Sequence, residues 1–452
     1  MIDFTFYAIA EERPGARWQA LFDAVWPAYR AWYLRDGDAA RPDLATAEAR
    51  LRRHMPELVP TWQRLVELAG GDEVAARMLT LWNPPRFLPG CSQVALSSPE
   101  PALLRNYDYG LELFEQVHSS TRYEERRVIG TSDCLWGLLD GMNDDGLAVS
   151  LAFGGRPGSG DGFAAPLVVR YLLEVAGDVA EAVRRLETIP VSMYYNLTMV
   201  DASGSAVTAY VGPDMRPEVS YDPVATNHRG RTPEFPDHAR RFRSVERQDL
   251  LTSAVERGAG VEEAAQAMLG PGVLSHDYDN AFGTLYTAVY RPLRGEVEYR
   301  WPGRSWVRDL TSTEETITVT LDDAPDAPGG AGLAGFAAAD GEDAGAGAPV
   351  APPVDATVWA GAWATGAWDG GADPSAGAPE AGVAALQAAA REAVNGLAHS
   401  PDPAAFSALL ALSAEVGEAL GVSARLLAQH NSWARVAELA DVSRQAAWHR
   451  WR

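Results

Sequence analysis

Lysine is missing from this chain of 452 residues; all 38 basic side chains are arginines. Its absence excludes a Schiff-base lysine, a pyridoxal-phosphate lysine and the lysine of a phosphate-binding loop. Cysteine is nearly missing as well, with Cys91 and Cys134 alone. Two thiols allow one disulfide and no disulfide scaffold, so a reducing compartment is expected. No stretch reaches the roughly 18 apolar residues that span a bilayer, and Met1 to Ala10 shows no basic run followed by an apolar one. A soluble, cytoplasmic protein with no membrane partner is the expectation, and the sequon Asn196-Leu197-Thr198 is then accidental. Basic residues are outnumbered, 38 against 61 acidic, for a formal net charge of -23. Phosphate binding needs a basic face, so a protein that coats nucleic acid is excluded and any DNA contact is local.

What is present is a globular composition, 47% hydrophobic and 22% charged, in a chain long enough for more than one unit. From about Ala16 to Met78 the apolar side chains recur at helical spacing, as in Trp18, Leu21, Phe22, Val25, Trp26, Tyr29 and Trp32, which predicts a mostly helical lead segment over residues 1–90. It ends in Asn83-Pro84-Pro85-Arg86-Phe87-Leu88-Pro89-Gly90, where three prolines and a glycine forbid regular structure before Cys91. Short strand-like runs follow at 93–96, 146–153, 197–200, 206–211, 284–290 and 316–321, interrupted by helical stretches at 166–186 and 239–255. Strands and helices mixed without a βαβ rhythm predict an α+β core over residues 91–322. Residues 323–378 turn to Ala, Gly, Pro and Asp and read as a flexible linker, and helical patterning resumes over 379–452.

Gly90-Cys91 can be read as a self-cleavage site, because cutting there leaves a free amine on the residue that carries the thiol. Such an amine, with a pKa near roughly 8, serves as a base without any lysine. The thiol is the most nucleophilic side chain at neutral pH. The alternative is a cysteine that merely begins a buried strand. Arg105-Asn106-Tyr107-Asp108-Tyr109 sets a cation and a carboxylate three apart, for chemistry or as a surface ion pair. Asn196, in Tyr194-Tyr195-Asn196-Leu197-Thr198, stands at a strand entrance, where an amide can donate to an oxyanion or cap a turn.

The order Gly-Cys, then Arg-Asn-x-Asp, then Gly141-Met142-Asn143-x-x-Gly146-Leu147, then Tyr-Asn-Leu-Thr, then Thr226-Asn227-His228, resembles the acyl-coenzyme A:6-aminopenicillanate acyltransferase family, the C45 peptidase-like relatives of choloylglycine hydrolases. The likeness runs from about Cys91 to Trp306. It implies the N-terminal-nucleophile fold, a four-layer αββα sandwich. It also implies autocatalytic cleavage into two chains that stay together, the lead segment being the smaller. By the family's pattern Cys91 is the nucleophile, its amine the base, Arg105 and Asp108 line it, and Asn196 matches the oxyanion asparagine. A pocket arginine falls at Arg241 or Arg243, Arg241 being favoured. The implied substrate is a small acyl amide or acyl thioester, with no cofactor and no metal. Two departures stand out: Ser92-Gln93 follows the cysteine where hydroxyl residues are usual, and Leu151-Ala152-Phe153 replaces an asparagine of choloylglycine hydrolases. Bile-salt specificity is therefore not expected. Cys134, beside Leu135-Trp136, reads as a core residue.

Near the C-terminus, Ser432 to Trp448 reads as helix, tight turn, helix and is similar to the helix-turn-helix of actinobacterial regulators, with Ser443 as N-cap. Such a motif points Arg444 and Gln445 at DNA bases; the alternative is a small bundle that packs on itself or a partner. Three functions follow from the sequence: a self-processing cysteine amide hydrolase or acyltransferase, a DNA-binding sensor of an acyl ligand, and a pseudoenzyme that never matures. The first implies a self-cleaved heterodimer.

Overall fold

The computed structural model describes residues 2–87, 90–111, 114–278 and 281–322. The expected linker and the C-terminal helical unit, with Arg444 and Gln445, lie outside the described residues. The lead segment opens with a strand, β1 (Ile2–Glu11), and continues as α1 (Ala16–Tyr33), α2 (Leu44–His54), α3 (Val59–Leu68) and α4 (Glu73–Leu79). The stripe Trp18, Leu21, Phe22 and Val25 is the face α1 buries, as its spacing predicts. Asp43 and Asp72 cap α2 and α4 by accepting from the N–H groups of Thr46 and Ala75, each at 2.7 Å. The strand lies ahead of the stretch in which helical spacing is read, and the rest of the lead is mostly helical, as expected.

From the cysteine onward come β2 (Gly90–Leu96), β3 (Ala102–Tyr109), β4 (Val117–Thr121), β5 (Val128–Asp133), β6 (Gly137–Asn143) and β7 (Ala148–Phe153), then α5 (Ala165–Val175) and α6 (Val179–Leu186). After β8 (Tyr195–Val200), β9 (Ala206–Gly212), β10 (Met215–Ser220) and β11 (Val224–Ala225) stand α7 (Pro236–Arg241), α8 (Ser244–Glu256) and α9 (Val261–Met268). The core closes with β12 (His276–Asp277), β13 (Phe282–Arg291), β14 (Glu296–Trp301), β15 (Arg304–Asp309) and β16 (Glu315–Leu321).

One sheet has the order β10-β9-β8-β7-β6-β5-β4-β1-β16 and the other β11-β2-β3-β13-β14-β15, with β12 on β13. The two face each other: Gln93 on β2 donates to the Asn196 carbonyl on β8 at 3.2 Å, and Tyr286 on β13 donates to Asp140 on β6 at 2.6 Å. Outside them, α5 lies on β6 and β7, while α8 and α9 lie on β2 and β3. This is the expected αββα sandwich. Covered on both faces, β2 and β13 are buried along their whole length, whereas β16 alternates buried with exposed residues. β1 sits inside the first sheet, parallel to β4 and antiparallel to β16. A strand of the lead segment thus joins β16 to its own sheet. Among the described residues no helix is long and apolar enough to cross a membrane.

Cys134 is buried, as expected of a core residue, and it stands with Leu135 in the left-handed region, at φ of 56° and 74°. That turn is held from two sides. The Leu135 N–H donates to Glu115 Oε1 at 2.7 Å, and the Cys134 N–H reaches the Tyr29 hydroxyl of α1 at 2.9 Å. Tyr29 donates to Glu115 at 2.5 Å and to Asp133 at 3.3 Å. Burial and the neighbouring Glu115 carboxyl push Asp133 up to about 7. A carboxyl raised above its unfolded value contributes stability that is complete below about pH 4 and is lost as pH rises through about 7. Replacing Asp133 with asparagine removes the repulsion while keeping an acceptor for Tyr29. The melting temperature of Asp133→Asn is therefore expected to fall less than that of the parent between pH 5 and pH 8.5. Parallel curves over that range would overturn the assignment.

Candidate active site

Period-two alternation on β2 and β3 sorts the functional side chains onto two faces. Gly90 pairs with Asp108, Cys91 with Tyr107, Ser92 with Asn106 and Gln93 with Arg105. Cys91 and Arg105 consequently point between the sheets, and Ser92 and Asp108 point toward α8. The cation and carboxylate three apart are therefore not partners of each other, and both are fully buried. A surface ion pair is excluded.

Arg105 approaches the thiol from the inner side. Its Nη2 donates to Cys91 Sγ at 3.1 Å, its Nε to the Leu151 carbonyl at 3.0 Å, and its Nη1 to Asp140 Oδ2 at 2.6 Å and to the Tyr286 hydroxyl at 2.9 Å. The guanidinium also lies 4.6 Å from the centre of the Tyr107 ring. Asp108 Oδ1 accepts from the Thr284 hydroxyl at 2.7 Å and Oδ2 from Arg247 Nη1 at 3.2 Å.

Arg247 is the arginine that the sequence reading missed. Neither Arg241, which ends α7, nor Arg243 stands where it does; Arg243 takes φ of 47° and breaks the expected continuous helix into α7 and α8. One turn further, buried Arg247 reaches the Cys91 carbonyl at 2.6 Å, Ser92 Oγ at 2.8 Å and Asn227 Oδ1 at 2.7 Å. Composition cannot choose among arginines clustered so closely along the chain. The choice is made by the kink at Arg243.

Asn227 is the second residue missed. Short β11 pairs with β2, so the following turn, Thr226 to His228, is delivered beside Cys91. There Asn227 Oδ1 accepts the Cys91 N–H at 3.0 Å, and Asn227 Nδ2 donates to the Phe153 carbonyl at 3.0 Å. Asn196 stands behind that turn. Its Nδ2 donates to the carbonyls of Thr226 at 2.8 Å and His228 at 2.9 Å, which fixes the turn that presents Asn227. His228 anchors the turn to α8 through Ser244 and Gln248, each at 2.9 Å. Gly155 is needed here, with φ of 77° and space for a Cβ only 2.2 Å from the Asn227 carbonyl oxygen. Gly90 is equally confined, since a Cβ would lie 2.1 Å from Phe282 Cε2.

Electrostatically the thiol is closed off and neutral in the intact chain. Burial pushes it up to about 11 against the opposing pull of Arg105, and Asp108 adds to the rise. Arg105 is held charged, because Cys91, Tyr286 and Asp140 outweigh the effect of burial. Arg247, by contrast, is lowered by burial. A cavity of about 20 Å³, room for one water, lies away from this chemistry, among Trp18, Ser119, Ser132 and Arg170. Among the described residues no cluster of His, Cys, Asp and Glu is arranged to hold a metal.

No curated protein sequence matches the chain. Solved structures that it is similar to include a mutant of the conjugated bile acid hydrolase from Clostridium perfringens, at 12% identity over 52% of this chain and 98% of that one, TM-score 0.36. Another is penicillin V acylase from Agrobacterium tumefaciens, at 18% identity over 49% and 86%, TM-score 0.33. A third is the Caenorhabditis elegans ortholog of N-acylethanolamine-hydrolyzing acid amidase, at 13% over 45% and 93%, TM-score 0.33. Likenesses of that size assign no substrate and no residue role. The family match is separate from them: residues 97–306 fit the model described as "Acyl-coenzyme A:6-aminopenicillanic acid acyl-transferase", a span that begins after Cys91 and takes in Arg105, Asp108, Asn227 and Arg247. Over those residues this chain is similar to the acyl-coenzyme A:6-aminopenicillanic acid acyl-transferase family.

Proposed function

We propose that the chain cuts itself between Gly90 and Cys91 and that the freed residue then hydrolyses linear amides or transfers acyl groups. The observation that carries this is the setting of Cys91, with one buried guanidinium on its sulfur, a second on its carbonyl and a side-chain amide on its nitrogen. In the cut, Sγ adds to the Gly90 carbonyl carbon and the Gly90–Cys91 C–N bond breaks. The thiol proton passes to the departing amine. Water then takes the acyl carbon, the lead segment leaves as a carboxylate, and sulfur regains a proton.

In turnover the same bonds change on a substrate. Sulfur adds to the acyl carbon, the α-amine of Cys91 accepts the thiol proton and delivers it to the leaving amine, and water or an amine resolves the acyl-enzyme. Asn227 Oδ1, already on the Cys91 nitrogen, keeps that amine in line with the sulfur. Arg105 favours the thiolate, and Arg247 anchors the Cys91 carbonyl. Asn196 Nδ2 supports the turn through two of its carbonyls, and the side-chain amide on the Cys91 nitrogen is that of Asn227, through its Oδ1.

Mass measurement under denaturing conditions, with N-terminal sequencing, tests the reading. Two chains are expected, the larger starting at Cys91, and they co-elute under native conditions because β1 lies between β4 and β16 of the other chain. An uncut, inactive chain after long incubation at neutral pH would favour the pseudoenzyme. The two asparagines are expected to separate in rate. Asn227→Ala loses about 10²-fold of kcat as the amine falls out of line with the sulfur, and Asn196→Ala loses about tenfold through a looser turn. Equal losses would return the amide role to Asn196.

A further inference from the structure

We infer that Asp140 is a positioning residue for the nucleophile, acting through Arg105. The inference rests on the proposed role of Cys91. Asp140 lies on β6 in the opposite sheet, fully buried, and no part of it touches the cysteine in the hydrogen-bond pattern. Its carboxylate accepts four hydrogen bonds. Oδ1 takes Thr131 Oγ1 at 2.9 Å and the Tyr290 hydroxyl at 2.6 Å, while Oδ2 takes Arg105 Nη1 and the Tyr286 hydroxyl, each at 2.6 Å.

A planar guanidinium has a fixed fork, so fastening Nε and Nη1 dictates where Nη2 points. Nε is fastened by Leu151 and Nη1 by Asp140 and Tyr286; Nη2 is left facing Cys91 Sγ. Asp140 does a second thing. Its charge offsets part of that on Arg105, which tempers how far Arg105 lowers the basicity of the sulfur. A thiolate stabilised without limit is a poor nucleophile, since nucleophilicity falls with thiol pKa. The pair therefore sets both the direction and the strength of the stabilisation.

The charged and titratable groups facing the thiol are Arg105 and Asp108 from β3, Arg247 from α8 and Tyr195 from β8. Those facing Asp140 are Arg105, Tyr286, Tyr290 and Tyr299. Of these, Tyr290 contacts the carboxylate oxygen remote from Arg105. Substituting it changes the field of Asp140 and leaves the fork fastened.

The test is the pH dependence of Cys91 alkylation by iodoacetamide in the full-length protein, with the modified peptide resolved by mass from that of Cys134. Folding of each variant is checked by circular dichroism and melting. Asp140→Asn, which strips Arg105 of its counter-charge, is expected to move the midpoint for Cys91 about one pH unit lower. Its kcat falls at least about tenfold with KM held within about threefold. Tyr290→Phe leaves more of the carboxylate's charge on Arg105 and moves the midpoint the other way, up by about half a pH unit. General loosening of the core would send both midpoints in the same direction. Shifts of one sign, or none in either variant, overturn the inference. Where Asp140→Asn fails to fold, Tyr290→Phe decides alone: a rise supports the inference, and a fall or no change removes it. Parent protein that neither cuts nor alkylates at Cys91 would instead defeat the proposed function.

Discussion

Cys91→Ala is expected to remain a single chain of 452 residues and to show amide hydrolysis at least about 10³-fold below the parent. Both losses have one cause, since the sulfur is the only group proposed to attack the Gly90 carbonyl and the substrate carbonyl alike. The variant still folds, because Cys91 enters the sheet through its backbone pairing with Tyr107 and its N–H bond to Asn227. It loses some stability. Arg105 Nη2 is left facing a methyl group in a buried site, an unsatisfied donor costing about 1–3 kcal/mol. Cleaved and active Cys91→Ala protein would refute the nucleophile. Cys91→Ser provides the intermediate case, with a hydroxyl in the same place but a far weaker nucleophile, so slow cutting over days is the expected readout.

The second large effect is expected from Arg247. Replacing it with methionine keeps the volume of the side-chain stem and removes the donors to the Cys91 carbonyl, Ser92, Asp108 and Asn227 in one step. Asp108 is then a buried carboxylate with its ion pair gone, a loss of about 3–5 kcal/mol. Activity should fall by at least about 10³, since the backbone of Cys91, the proposed nucleophile, and the amide on its nitrogen both lose their anchor. The double variant Arg247→Met with Asp108→Asn recovers much of the stability, because no uncompensated charge remains, and recovers none of the turnover. Restoration of activity in the double variant would show that Arg247 serves the fold alone. Substituting Arg241 or Arg243 should cost little by comparison, neither being the arginine on Cys91.

The features legible in the sequence share a physical character: each is set by neighbours along the chain. Helical spacing of Trp18, Leu21, Phe22 and Val25 gives α1, and Pro-rich punctuation at 84–89 marks the approach to Cys91. Strands that begin at turns and carry apolar runs, such as β7, β9 and β13, were visible for the same reason. β3 was not, because Ala-Leu-Leu-Arg-Asn-Tyr-Asp-Tyr has the charges of a surface segment and is buried on both faces. Its polar groups are satisfied by residues between 14 and 181 positions away, as Cys91 and Tyr286 are from Arg105, and no local pattern encodes such partners. β1 was missed in the same manner: its place between β4 and β16 depends on chain more than 100 residues distant.

By itself, then, the sequence determined an α+β core from local periodicity and, through the resemblance carried by an ordered set of short motifs, the αββα class, and its punctuation set Gly90-Cys91 behind a proline-rich approach with Arg105 and Asp108 close along the chain. Tertiary structure alone decided which face each of those side chains takes, and it alone brought Arg247 onto the Cys91 carbonyl and Asn227 onto the Cys91 N–H. The deciding contacts are the kink at Arg243, the pairing of two-residue β11 with β2, and a carboxylate at 140 reaching across from the opposite sheet. Buried charges must find partners wherever the fold supplies them, and that supply is a property of the packed sheets and not of any stretch of chain.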